Sequence, residues 1–511
     1  MKTFLMFREG ERPLEGNESW GSEYLIQDLE LAMIIDAMAE GDDFLKGVCR
    51  NVLLKPLTDP AALTYRQDIL KDCISNESTV RRIYEIVVTC LEKERRESFW
   101  FGQTNPELIV YESAKILRIL VMGFRQINKE LSDAINKFSS SGFRKFLEQL
   151  NRELDDSYLN SIEEKLDNLK FPNGVSVSVN LGPGNVSTNH ILLGPTTKRK
   201  SINPLTKVSG GKHYTYNLPP RDEAGAQAIA EIRSESVSSI VGTLKEASES
   251  VLGYMKKLRE EIAFYLGCLN LHRTVTDKGG ELCFPVPAAS DGFSLSFEGL
   301  YDISLKISTG SDIVSNSIDA DGKSLVIITG ANRGGKSTFL RSIGQAQLMF
   351  QSGIFVPATS FRSDLKDSLF THFKREEDRG MTMGKLDEEL ARMSEILDHV
   401  SGNSMILFNE SFSSTNMREG SEISFNIVSA LKEKGLKIFF VTHNYEFASR
   451  IEEHTKSGTL FLRAERKDDG TRTYRIIAGR PSETGYSLDL YRSIFNEEEG
   501  SGESEGILHG A

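Results

Sequence analysis

Ser324-Leu325-Val326-Ile327-Ile328-Thr329 runs straight into Gly330-Ala331-Asn332-Arg333-Gly334-Gly335-Lys336-Ser337, and the fold is decided there. The apolar run has the composition of a buried strand. The octet after it is G-x-x-x-x-G-K-S, and a helix is expected to begin at the lysine. Gly330, Gly334 and Gly335 let backbone N–H groups close around phosphate oxygens, and the helix N-terminus adds the positive end of its dipole. Lys336 is a mobile cation able to reach β and γ phosphates, while the Ser337 hydroxyl is a hard oxygen ligand for Mg²⁺. This strand–turn–helix reads as a phosphate-binding loop; a structural glycine turn is the competing reading.

Working outward, Thr338 to Gln351 has helical spacing, stops at Ser352-Gly353, and is barred from resuming by Pro357. A second apolar run, Ser404–Phe408, leads into Asn409-Glu410-Ser411. Phosphate-loop ATPases commonly place an acidic pair there, the first member organising Mg²⁺ through water and the second polarising the attacking water. Here Glu410 is the candidate general base and neutral Asn409 takes the metal-organising place, so weak Mg²⁺ dependence and slow hydrolysis are expected. A plain surface carboxylate is the alternative for Glu410. A third run, Leu436–Val441, ends in Thr442-His443, which puts His443 where a sheet of this kind senses a γ-phosphate.

The two halves of the chain differ in texture. From about Phe284 onward short apolar runs alternate with amphipathic helices, the pattern of an α/β sheet. Residues ~20 to ~275 are dominated by helical periodicity. Within them, 143–170 carries Phe143, Phe146, Leu150, Leu154, Ile162, Leu166 and Leu169 at helical steps, and about 223–271 continues such spacing. Some 45 residues of helix would make a strut or lever of about 70 Å, unless Gly242, Gly253 or Gly267 breaks it. Between these helices, 171–221 is rich in Gly, Pro, Ser, Thr and Asn, alternates like a strand at Val175–Asn180, and has no acidic residue from Pro172 to Arg221. Its Lys198, Arg199, Lys200, Lys207 and Lys212 are candidate contacts for nucleic-acid phosphates; a solvated surface loop is the other reading.

Composition sets the outer limits. At 511 residues the chain holds two to four domains by a prior of roughly 150 residues each. No apolar stretch approaches the ~20 residues that cross a bilayer, and Met1–Arg8 is charged too soon for a secretory signal. The five scattered cysteines suit reduced thiols in a cytoplasmic protein. A net charge of −12 argues against indiscriminate coating of nucleic acid, though not against a local basic surface. Residues 496–511 read as an acidic disordered tail.

Together these features resemble the MutS family of DNA mismatch-repair ATPases. The likeness is carried by Thr329–Arg341 with Asn332 inside the loop, by Val356-Pro357-Ala358, by Leu407-Phe408-Asn409-Glu410, and by Thr442-His443. Thr484-Gly485-Tyr486-Ser487-Leu488 is similar to the segment closing that family's ATPase domain, and Leu53–Asp59 with Arg66-Gln67 is similar to its helical core. The resemblance implies ATP and Mg²⁺ as ligands, a homodimer with composite ATP sites, and levers coupled to a DNA clamp, and it leaves any repair-protein partner unidentified. It puts 171–221 at the clamp position and Ile313, aliphatic where an aromatic is usual, at the adenine contact. It departs from the family in lacking a mismatch-reading domain ahead of the core. The loop that addresses the neighbouring subunit also differs, reading Met383-Gly384-Lys385-Leu386-Asp387-Glu388-Glu389-Leu390.

The expected architecture is therefore a helical core and lever over 1–275, with a small β-rich tip at 171–221. An α/β P-loop ATPase domain over 276–495 follows, then the tail. The expected function is that of a MutS-like ATPase, cytoplasmic and without a membrane, acting on branched or duplex DNA by shape and backbone. Gly330, Asn332, Gly334, Gly335, Lys336, Ser337, Thr338 and Ile313 would hold ATP, Ser337 and Asn409 the metal, with Glu410 and His443 catalytic. Two alternatives stand beside it: a nucleotide-gated scaffold with slow or no turnover, and a related ATPase acting on a ribosome or protein complex.

Overall fold

The computed structural model describes residues 2–8, 20–97, 105–132, 137–171, 175–193, 217–219, 221–288, 293–375, 384–455, 457–467 and 471–481. The chain divides into two compact units: Met1–Met6 with Asn76–Ile262, and Phe7–Ser75 with Ala263–Ala511. This is a different partition from the expected break near 275, because residues 7–75 pack with the α/β half. Backbone and side-chain bonds explain why: Leu57 N–H donates to Gln351 O at 2.7 Å, Arg66 Nη1 to Ser352 O at 2.9 Å, and Gln67 Nε2 to Pro285 O at 3.0 Å.

The first unit contains helices α5 (Glu77–Glu97), α6 (Pro106–Ser132), α7 (Ser141–Glu153) and α8 (Asp156–Asn168). Strands β1 (Val177–Leu181) and β2 (Ser187–Leu192) follow, and then most of α9 (Glu223–Asp277). The spacing across 143–170 had suggested one helix; the structure has two. Asp155 adopts an extended backbone and its carboxylate accepts from Tyr158 N–H at 2.8 Å, an N-cap that starts α8 where α7 has just ended. Alternation at 175–180 becomes an antiparallel hairpin, Val177 opposite Leu192. Helix α9 runs 55 residues without a break at Gly242, Gly253 or Gly267, a rise of about 80 Å. Gly123 on α6 serves close packing: a Cβ there would stand 2.5 Å from Cys90 Sγ of α5. Glu261, buried on α9, accepts from the backbone N–H groups of Leu5 (3.0 Å) and Met6 (3.1 Å), which fastens the first residues of the chain; burial pushes its carboxyl pKa upward.

The second unit opens with α1 (Ser22–Asp28), α2 (Leu31–Ala39), α3 (Asp43–Leu53) and α4 (Pro60–Ser75). Beyond α9 come β3 (Val286–Pro287), β4 (Leu295–Leu300), α10 (Ile303–Thr309), β5 (Asn316–Asp319), β6 (Leu325–Thr329) and α11 (Lys336–Gln351). Then follow β7 (Ser360–Ser363), β8 (Leu369–Phe373), α12 (Lys385–His399), β9 (Met405–Asn409) and α13 (Met417–Glu433). The unit's described part closes with β10 (Lys437–Val441), α14 (Tyr445–His454), β11 (Thr459–Arg466) and β12 (Arg472–Ala478).

Its main sheet has the order β12-β11-β6-β10-β9-β8, parallel throughout except for β12 at one edge. Parallel strands covered on both faces need side chains that tolerate burial in both directions, and β6 and β10 are buried at every position. A second sheet has the order β3-β7-β4-β5, with β7 falling between β6 and β8 in the chain. The core of the main sheet gathers Leu325, Ile327, Ile406, Phe408, Ile438 and Phe440 with α12, α13 and α14 residues such as Met393, Val428 and Phe447. In such a sheet the loops at the carboxyl ends of adjacent parallel strands face one crevice. Residues 330–335, 410–416 and 442–444 all leave those ends. No described helix is long and apolar enough to cross a membrane. The five cysteines are free, four of them buried. The expected tail and the Thr484–Leu488 segment lie outside the described residues.

Candidate functional site

The loop between β6 and α11 takes its shape from backbone angles that side chains resist. Gly330 has φ 115° and Gly335 φ 87°, and the only non-glycine in the loop with positive φ is Arg333 at 59°. Space is as restrictive as torsion: a Cβ on Gly334 would lie 2.9 Å from both Ala331 O and Ala464 Cβ. Glycine is therefore required twice over, by torsion at 330 and 335 and by contact with β11 at 334. Lys336 opens α11 as its first residue, with Gly335 at the N-cap, so the free N–H groups of the first turn face the loop.

The Lys336 side chain is almost wholly buried, and its ammonium donates to Gly330 O (2.9 Å) and Ala331 O (3.0 Å). Burial lowers its pKa, with Glu410 acting in the opposite sense. Ser337 Oγ donates to Asn409 Oδ1 at 3.0 Å, joining the helix start to the end of β9. Glu410 follows in a left-handed conformation, φ 53°, with its N–H donating to Val441 O at 2.9 Å. Its Oε1 is 3.8 Å from His443 Nδ1, long for a hydrogen bond but within ion-pairing range. This imidazole is the largest influence holding the Glu410 carboxyl below its ordinary pKa; burial opposes it, and the charges of Lys336 and Lys374 assist. A half-buried, ionised carboxylate between a lysine and a histidine is suited to orient and polarise a water.

These groups border a cavity of about 500 Å³, the size of a small-ligand site. Asn332, Gly334, Gly335, Lys336, Ser337, Thr338 and Glu410 line it, together with Ile313 and Val314. The structure thus brings the loop, the strand-end glutamate and the aliphatic position into one pocket, with His443 reaching it through Glu410. Gly330 contributes through its carbonyl rather than as a wall. Sequence reasoning missed Tyr474, a β12 residue at φ 60° whose half-exposed ring also lines the cavity. Asn316, also in the lining, accepts from Ile476 N–H of β12 at 2.7 Å. The one signal for Tyr474 was an aromatic set among polar neighbours, Arg472-Thr473-Tyr474-Arg475.

For a metal, no group of three or more His, Cys, Asp or Glu side chains gathers among the described residues. What the site offers is the Ser337 hydroxyl touching the Asn409 amide oxygen, hard oxygen donors that suit Mg²⁺ completed by phosphate and water. Lys198, Arg199, Lys200, Lys207 and Lys212, read as nucleic-acid contacts, lie outside the described residues. So does Met383, while Gly384 and Lys385 open α12.

Comparison with known proteins agrees with this geometry. Residues 58–278 match the family described as the MutS2 N-terminal domain, and residues 326–498 match MutS domain V. The chain is 28% identical over 232 residues to the DNA mismatch repair protein MutS of Clostridium botulinum, covering 41% of this chain and 24% of that protein. It is 32% identical over 156 residues to the protein of that name from Leptospira interrogans, covering 30% and 18%. With Endonuclease MutS2 of Thermus thermophilus it shares 31% identity over 202 residues, 39% of this chain and 26% of that one. The alignments span about a quarter or less of these relatives' own length. Two family matches on either side of residue 300, one for the helical part and one ending beyond the phosphate-binding loop, place this chain in the MutS family.

Proposed function

We propose that this protein binds and hydrolyses ATP with Mg²⁺ and couples the nucleotide to DNA held by shape and backbone, as a homodimer. The observation that carries the reading is the cavity lined by Lys336, Ser337 and Glu410, with Asn409 joined to Ser337 by a 3.0 Å hydrogen bond. In it, the loop N–H groups and Lys336 bind the β and γ phosphates, trading the ammonium's bonds to Gly330 O and Ala331 O for bonds to phosphate oxygens. Ser337 and Asn409 would hold Mg²⁺, which when bound would neutralise charge on the transferred phosphoryl group. Glu410 orients the attacking water and His443 fixes Glu410. Ile313 and Tyr474 offer an aliphatic and an aromatic surface for the base.

The test is steady-state ATP hydrolysis by the wild type and Glu410→Gln, with nucleotide binding followed by calorimetry. Turnover lost in the variant while binding persists supports the reading; equal rates in both sink it. Asn409 favours one second reading, a nucleotide-gated scaffold, which predicts ATP binding by the wild type without turnover. The DNA part rests on the names carried by relatives and on the basic run at 198–212. DNA affinity that falls steeply with salt, and less steeply after neutralising Lys198, Arg199 and Lys200, supports it. Absence of binding at low salt would turn the proposal toward a ribosome or protein complex.

A further inference from the structure

Glu389 sits in the first turns of α12, within the stretch that departs from the family pattern, and its carboxylate points at the turn after β9. One oxygen accepts from Phe412 N–H and the other from Ser414 Oγ at 2.7 Å. The same turn is held from β8. Ser411 Oγ lies 2.8 Å from His372 Nδ1 and donates to His372 O, while His372 Nε2 donates to the Glu389 carbonyl at 2.9 Å. His372 and Phe412 are fully buried and their rings stack, centroids 5.0 Å apart.

This bracing has something to hold. Glu410 and Phe412 both occupy the left-handed region, at φ 53° and 57°. Side chains other than glycine stay there only when surrounding contacts over-determine the backbone. Glu410 N–H is fixed by Val441 O, and Glu389 supplies the acceptor for Phe412 N–H two residues on. A turn pinned at both ends keeps the Glu410 side chain aimed at Lys336 and His443.

We infer that Glu389 is a positioning residue of the hydrolytic site, clamping the Glu410–Phe412 turn in its left-handed form. The inference rests on the ATPase reading above. Removing the carboxylate frees Phe412 N–H and Ser414, and the turn relaxes toward ordinary torsion angles. A displacement of about 1 Å in a catalytic group lowers turnover on the order of 100-fold. Glu389 touches none of the loop residues that bind phosphate, so ATP affinity is expected to stay within about twofold of wild type, well under the ~1.4 kcal/mol of a tenfold change.

The experiment compares wild type, Glu389→Ala, Glu389→Gln and Ser414→Ala for kcat, KM, ATP dissociation constant and thermal midpoint. Glutamine keeps one oxygen for Phe412 N–H and can donate to Ser414 Oγ, so it should restore most of the turnover that alanine loses. Low kcat in Glu389→Ala with ATP affinity retained, recovery in Glu389→Gln and a smaller loss in Ser414→Ala support the assignment. Should Glu389→Ala fail to fold, the graded kcat of the other two decides: wild-type turnover in Ser414→Ala and an affinity loss in Glu389→Gln overturn it. Wild-type turnover in a folded Glu389→Ala overturns this assignment alone, whereas a wild type that never hydrolyses ATP overturns the ATPase reading and this with it.

Discussion

Replacing Asn409 with aspartate should make the protein more responsive to Mg²⁺. Asn409 Oδ1 already accepts from Ser337 Oγ at 3.0 Å, so an aspartate can take over that bond without moving the backbone of β9. What changes is charge. A hydrogen bond from a metal-bound water to a neutral amide contributes about 0.5–1.5 kcal/mol, and one to a carboxylate about 1.5–3 kcal/mol. The difference, about 1–1.5 kcal/mol, is close to tenfold in metal affinity. Two opposing influences bear on the result. A second carboxylate beside Glu410 raises the cost of ionising both, while Lys336 and Lys374 lie close enough to lower the Glu410 pKa and offset it. Steady-state hydrolysis titrated with free Mg²⁺ at saturating ATP should give a half-saturation point about tenfold lower in Asn409→Asp. An unchanged half-saturation point, in a folded variant of a protein whose Glu410→Gln form is inactive, would refute the argument that residue 409 organises the metal.

Three further outcomes follow from contacts in the same unit. Gly334→Ala sets a methyl 2.9 Å from Ala331 O and Ala464 Cβ, so the loop must shift; ATP affinity should fall about tenfold or more by calorimetry, with a stability cost of about 1–3 kcal/mol. An unaltered dissociation constant would show that the loop accommodates a side chain there. Because Glu410 is held below its ordinary pKa, turnover should persist as pH falls and drop only beneath the usual carboxylate range near 4. His443→Gln removes the largest influence and should move that acid limb to higher pH; identical limbs would separate the two residues. Lys437, buried and donating to Phe293 O and Ala320 O, is pushed down to about 7, by burial first and the Lys366 charge second. Between about 7 and the ordinary lysine value near 10.4 the unfolded chain binds a proton that the folded one does not, so stability should rise with pH across that window and level off below it. Thermal midpoints at pH 7, 8 and 9 should show this slope, and Lys437→Met should flatten it.

The parts of this fold that could be read from sequence are those whose cause is local. Strands β6, β9 and β10 are buried on both faces, so each carries four apolar residues in a row (325–328, 405–408 and 438–441), and the phosphate loop is one contiguous octet with its glycines where torsion demands them. Helix α9 was legible for the same reason: its spacing repeats inside one segment, and no glycine in it is forced out of helical geometry. The break between α7 and α8 was hidden because apolar residues keep helical spacing through Leu154 and beyond, while the side chain of Asp155 decides the matter by capping a new helix. Periodicity measures which face is buried, and two successive helices can bury the same face.

The residues that escaped notice act across the chain. Arg66 meets Ser352 from 286 residues away, which is why 7–75 joins the α/β unit although its sequence is helical like its neighbours. Tyr474 reaches the cavity only because β12 pairs with β11, and β11 with β6; it lies 136 residues beyond Thr338 in the chain, yet its backbone comes against Gly335 of the loop. Glu389 is the sharper case. Read alone, Asp387-Glu388-Glu389 is a solvated acidic run at a helix start, favourable to the helix dipole and needing no further explanation. Two observations change that reading: its carboxylate is the acceptor for a buried turn, and that turn contains two left-handed non-glycine residues, one of them the candidate base. Strain next to a catalytic candidate has to be balanced by contacts, and following those contacts outward from Glu410 leads to α12. The stretch that looks least like the family in sequence therefore retains, in Glu389, a hold on the carboxylate that the family resemblance first picked out.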